Sequence, residues 1–245
     1  MVLDFCEISS NLEENKEKDE NLFKITEQGR KLFDDAEWLS KIFEIIKKTF
    51  EELTLKEKQS LTKNKEKYIT KYIGTKIIRN KHFEGIGFTL NYEARNESLT
   101  QEGYYDMKFQ HSFWKNKYLV IECKILDSSP KRINNYVYVK YKEEEDGGLY
   151  RFLIDKYATG LEFGGMLGYI INDNPEQIIS TLKDKIIKLK LKNEGKNFGE
   201  IIDENLLRKT VCDFPNSFQS NHTRINKKQS NNSIHIYHLF FDFTK

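Results

Sequence analysis

The sequence predicts an α/β protein: a mixed central β-sheet flanked by helices, with helices leading in at the N-terminus and a β-hairpin at the C-terminus. Three observations carry this expectation. Residues 104–126, YYDMKFQHSFWKNKYLVIECKIL, read as two neighbouring strands joined by a short turn, the first rich in aromatics and the second almost continuously apolar. Apolar residues recur at helical spacing on both sides of that stretch, over 34–79 and 175–189. The order helix, three strands, helix, strand runs on with no linker of low-complexity type between the parts.

Taken in order, residues 1–33 form a charged arm containing NLEENKEKDEN. A helix starts at Asp34 or Asp35, capped by aspartate, and carries Trp38, Leu39, Ile42, Ile45, Ile46, Phe50 and Leu53 at helical spacing. Thr54 caps a second helix that breaks near Ser60 or Thr62 and continues to about Arg79. Within it Glu66 projects almost in line with Ile73 and Ile77, either on the apolar side or at the edge of that stripe, paired with Lys63 or Lys67. A first strand is expected over 85–93, then the strands 104–113 and 117–126. Residues 128–148 read as a polar excursion with an extended Tyr136-Val137-Tyr138 segment. A helix follows near 149–157, then a sharp turn at Gly164-Gly165 and a buried strand over 166–171. Pro175 opens a helix with Ile178, Ile179, Leu182, Ile186 and Leu189 inward and Lys183, Lys185, Lys188, Lys190 and Lys192 outward. Strands over 211–213, 217–224 and 234–243 close the chain, the last two as a hairpin.

At 245 residues this fits one domain spanning 1–245: the arm 1–33, a helical part 34–80, a core 85–192 and C-terminal strands 209–245. Forty basic residues against 38 acidic give a net charge of +2, so any basic face must come from local segregation. Cys6, Cys123 and Cys212 are odd in number and widely spaced, which suggests neither a disulfide framework nor a zinc knuckle. No run is long and apolar enough to cross a bilayer and no secretory segment opens the chain, so a cytoplasmic location is expected. Walker, HExxH, GxSxG and dinucleotide-binding motifs are absent, which removes support for kinase, P-loop ATPase, zinc protease, serine hydrolase and dehydrogenase readings.

The chemistry concentrates at Glu122 and Lys124, set into the apolar strand, and at Asp106 on the strand before. Side chains alternate along a strand, so Val120, Glu122 and Lys124 share one face. Charges on a strand built for the core need partners. Two carboxylates beside an amine make a place for a hard divalent cation, which takes oxygen ligands and retains several waters. Asp106 followed by Glu122-Cys123-Lys124 at the end of an apolar strand resembles the PD-(D/E)xK nuclease superfamily, although Tyr105 stands where the family name has proline.

The resemblance implies a restriction-endonuclease-like fold and Mg²⁺-dependent hydrolysis of DNA, with Mn²⁺ as the alternative ion. It makes Asp106, Glu122 and the main-chain carbonyl of Cys123 the metal ligands. Lys124 would position the nucleophile, and Glu66 would complete the acidic cluster from the first core helix. The series Tyr150-Arg151-Phe152, Lys156-Tyr157-Ala158, Gly164-Gly165-Met166 and Gly168-Tyr169-Ile170 resembles bacterial restriction-like proteins of phage-defence and mobile loci. That likeness implies a defence effector working as a homodimer or beside an ATPase or sensor subunit. Arg151 and Lys156 are candidates for phosphate contact, or for a salt-bridged helix surface. His222 and Arg224, which share a strand face with Ser220, either grip phosphate or form a structural network. The alternative function is a catalytically inactive nuclease-like module that binds nucleic acid or regulates a partner.

Overall fold

In the computed structural model the described residues are 34–95, 104–114, 116–141, 144–189, 200–202, 214, 216–224 and 233–245. The charged arm 1–33, the expected strand 211–213, and Lys190 and Lys192 lie outside them.

The N-terminal helices are α1 (Asp35–Glu51), α2 (Leu55–Leu61), α3 (Glu66–Ile78) and α4 (Lys81–Ile86). Asp34 and Thr54 each close a capping box: their side chains accept from the backbone N–H of Glu37 and Glu57, whose carboxylates accept from the cap N–H in return. Strands β1 (Phe88–Arg95), β2 (Tyr104–His111) and β3 (Leu119–Leu126) follow. Next come α5 (Pro130–Val137), the small hairpin β4 (Val139–Tyr141) and β5 (Glu144–Asp146), α6 (Gly148–Leu153), β6 (Phe163–Ile170) and α7 (Pro175–Ile187). The chain ends with β7 (Glu200–Ile202), β8 (Phe218–Thr223) and β9 (Ser233–Asp242). No helix among the described residues is long and apolar enough to cross a membrane.

Seven strands form one mixed sheet in the order β1-β2-β3-β6-β9-β8-β7. The central strands β3, β6 and β9 run parallel, while the outer pairs, including the expected hairpin β8–β9, are antiparallel. Alternation along β3 feeds two cores. Leu119, Ile121 and Cys123 pack with Ile42, Ile46, Ile69 and Ile73 of α1 and α3. Val120 and Leu126 pack with α5, α6 and α7, through Tyr136, Phe152 and Leu182 among others. The result is a three-layer arrangement, each buried large apolar side chain contributing about 1.5–3 kcal/mol.

Four local expectations differ from the structure. The helix expected near 149–157 ends at Leu153 and passes into turns that run through Tyr157. Residues 85 and 86 end α4 instead of starting β1. Residues 130–137, read as a polar excursion, form α5: Ser129 and Pro130 start a helix that buries Ile133, Tyr136 and Val137 on one side. Gly164 and Gly165, expected to turn the chain, lie inside the fully buried strand β6, because a Cβ on Gly164 would stand 2.5 Å from the Phe152 ring. Glycine there makes room for α6.

Candidate active site

The site forms where β2 and β3 part. Their ladder pairs Phe109 with Leu119, Lys108 with Val120 and Met107 with Ile121. One further step of that register sets Asp106 opposite Glu122. At this step a side chain takes over from the backbone: Cys123 N–H donates to Asp106 Oδ2 at 2.7 Å. The next N–H on the same edge, that of Ile125, donates to Glu66 Oε2 at 3.1 Å. Two carboxylates thus replace the acceptors that β2 would have supplied, and the strands splay around a cleft of about 450 Å³. Glu66 and Asp106 line it, with Lys67, Thr70, Tyr92 and Tyr104 around them. Glu66 reaches this edge because it is the first residue of α3, which packs Ile69 and Ile73 against the sheet.

Lys124 Nζ stands at the centre, 2.7 Å from Glu122 Oε1, 3.0 Å from Glu66 Oε1 and 3.0 Å from the Cys123 carbonyl. All three of its donors are engaged. Burial pulls the amine's pKa down, but Glu122, Glu66 and Asp106 together outweigh that effect and hold it above the ordinary lysine range. Lys124 is therefore an ammonium at every physiological pH. Burial, then the Glu122 carboxylate, raise the Asp106 pKa as well, up to about 8.

Glu122 is 1% exposed and points under α6, where a Cβ on Gly148 would lie 3.4 Å from Glu122 Cγ. Its Oε1 accepts from both Lys124 and Arg151, the latter at 2.7 Å. Its Oε2 is buried with no hydrogen-bond partner among the described residues. Arg151 also forks onto Asp146 at 2.8 and 2.9 Å, holding that carboxyl at about 2, and donates to Tyr157 Oη at 3.1 Å. The Tyr157 hydroxyl in turn donates to the Tyr104 carbonyl at 2.7 Å, tying α6 to the start of β2.

The structure thus gathers Asp106, Glu122, Lys124, the Cys123 carbonyl and Glu66, and adds Arg151. Arg151 is a partner of Glu122 and Asp146, the salt-bridged fate left open in the sequence. Lys156 lies on the turn after α6, close enough to Asp146 to help lower its pKa and outside the central cluster. His222 and Arg224 are each 3% exposed and sit inside the second core, so neither meets a nucleic acid at the surface. Arg224 pairs with Asp155 and donates to the carbonyls of Ala158 and Leu161 at 2.8 and 2.7 Å, clamping the turn between α6 and β6. His222 joins Ser220, His238 and Tyr136 in a buried chain of hydrogen bonds. Both take the structural-network alternative left open in the sequence. Lys71 carries no motif of its own, although the spacing 66, 67, 70, 71 places it and Lys67 on the side of α3 that carries Glu66.

Among the described residues no three His, Cys, Asp or Glu side chains group closely enough to form a metal cage. A Mg²⁺ site needs less than that, one or two carboxylates with waters. The donor set here is all oxygen. The orphaned Glu122 Oε2, desolvated at a cost of at least about 1–3 kcal/mol, fits a hard cation beside Asp106 and the Cys123 carbonyl. Compared with protein-family models, curated proteins and solved structures, the chain matches none.

Proposed function

We propose that this protein is a metal-dependent nuclease hydrolysing DNA phosphodiester bonds. The observation that carries the reading is the gathering of Asp106, Glu122 and Lys124 at the break in the β2–β3 ladder, with a buried Glu122 oxygen left unpaired. Asp106, Glu122 and the Cys123 carbonyl would hold Mg²⁺, or Mn²⁺. When bound, the ion supplies charge stabilisation at the phosphoryl oxygens and a more acidic water. Lys124, held as an ammonium, does not act as a base; it would donate to the attacking water or to a phosphate oxygen by giving up its bond to the Cys123 carbonyl, which would turn to the ion. Glu66 holds Lys124 in place and accepts from water at the cleft. In this reading the protein is the effector of a bacterial anti-phage system and works beside an ATPase or sensor subunit, since the chain carries no Walker loop.

One observation favours a second reading. Lys124 and Arg151 both neutralise Glu122, which would also serve a purely structural network in a binding or regulatory module. A plasmid-cleavage series with and without Mg²⁺ separates the two. Asp106→Ala and Glu122→Ala should lose cleavage, while Lys124→Ala should lose roughly 10²–10³-fold and still bind DNA. Lys124→Arg should not restore full activity, because a planar fork cannot replace a compact amine. Undiminished nicking by all the alanine variants would place the activity elsewhere. A wild type inert with every ion would leave the binding-module reading.

A further inference from the structure

The cleft at Glu66 and Asp106 continues along α3. A second hollow, also about 450 Å³, lies on the outer side of that helix between Tyr68 and Arg79, and Lys71 lines both hollows. Together they follow the 13 residues of α3, about 20 Å of helix at 1.5 Å per residue. The track is cationic. Lys71 and Arg79 are exposed and form no ion pair among the described residues. Glu57, the acid beside the second hollow, is cancelled by Lys76 at 2.8 Å and by the Tyr72 hydroxyl, which donates to it at 2.5 Å. The track is also aromatic: Tyr68 is 53% exposed and Tyr104, at the cleft end, is 64% exposed.

Cations alone would suit any polyanion. Open tyrosine rings beside them suit one kind better, since only an unpaired base offers a free π-face for stacking, whereas a duplex presents phosphates and hides its bases. A hollow of about 450 Å³ next to Tyr68 also gives an unstacked base room. We infer that the track along α3 binds a single-stranded stretch of nucleic acid, with phosphates on Lys71 and Arg79 and an unpaired base against Tyr68, and leads it to the acidic cluster. The direction of travel rests on the nuclease reading; the binding itself does not.

The test uses the full chain in EDTA, so that binding is read without cleavage. Fluorescence anisotropy compares a labelled short oligothymidylate with a hairpin duplex of equal phosphate count, for wild type, Tyr68→Ala, Lys71→Ala, Arg79→Ala and, as a control, Lys41→Ala on α1. The single strand should bind about tenfold tighter than the duplex. Tyr68→Ala should cost roughly tenfold on the single strand and little on the duplex. Lys71→Ala and Arg79→Ala should each flatten the single-strand salt dependence by about 0.7 in log–log slope, and Lys41→Ala should change nothing. Equal affinity for single strand and duplex, or wild-type binding by Tyr68→Ala and Arg79→Ala, overturns the inference. A protein that nicks plasmid and fails here keeps the nuclease reading and loses the track. One that binds the single strand through these residues and cuts nothing keeps the track and loses the nuclease reading.

Discussion

At Asp106, acidity and ion binding meet. Burial and the Glu122 carboxylate hold its pKa at about 8, so at neutral pH the carboxyl carries a proton that an incoming cation must displace. Mg²⁺ affinity should therefore fall about tenfold per pH unit below pH 8 and level off above it, with close to one proton released per ion. Calorimetric titrations in two buffers of different ionisation enthalpy read both quantities; pH-independent affinity without proton release would take Asp106 out of the ligand set. Asp106, Glu122, Lys124 and Glu66 were legible in the sequence because each is placed by a local period, two along a strand or 3.6 along a helix. Arg151 was visible as a basic residue, but not as a partner of Glu122. That contact joins residues 29 apart in the chain and depends on how α6 lies over β3, which no local period encodes.

Elements were readable where their ends carry side-chain signals. The capping aspartate and threonine of α1 and α2, and Pro175 after Asn174 at α7, set boundaries through hydrogen bonds within one turn. Helix α5 was missed because its asparagines, lysine and arginine masked the three apolar residues on its buried side. The glycines of β6 were misread because a close tertiary approach leaves the same mark in a sequence as a turn. Two substitutions separate these causes. Gly164→Ala would drive a methyl into the rigid Phe152 ring, 2.5 Å away. The overpacking, about 1–3 kcal/mol less roughly 0.5 kcal/mol of unfolded-chain entropy, should lower Tm by about 2–8 °C. Gly85→Ala in α4 meets nothing within 4 Å and should hold or raise Tm, since alanine is the better helix former. Scanning calorimetry of both decides it, and a Gly164→Ala Tm at or above wild type would mean that α6 is not seated by that glycine.

For the whole molecule, two buried ionisable groups act on stability in opposite senses. His238 is fully buried, with Nδ1 3.0 Å from Tyr136 Oη of α5, Nε2 2.8 Å from Ser220 Oγ of β8, and the Phe218 ring stacked on it. Burial, and secondly His222, hold its pKa well below the ordinary 6.5. Below pH 6.5 the unfolded chain takes up a proton that the folded one refuses, so stability falls as pH falls, by about 1.4 kcal/mol per unit. Asp106 has the opposite sign. The folded carboxyl keeps its proton up to about 8 while the unfolded one releases it above 3.8, so stability rises by a similar slope as pH falls across that range. From pH 6.5 down to 4.5, where Glu57 begins to contribute, the two slopes oppose each other. Metal-free wild type should therefore lose stability between pH 6.5 and 8 and stay nearly level from 6.5 to 4.5. Asp106→Asn should invert this, level from 8 to 6.5 and falling by about 1.4 kcal/mol per unit below. Urea midpoints in EDTA across the range provide the measurement. A variant profile parallel to wild type would show that Asp106 does not titrate near 8, and a level variant profile below 6.5 would show that the buried histidine accepts its proton in the folded state.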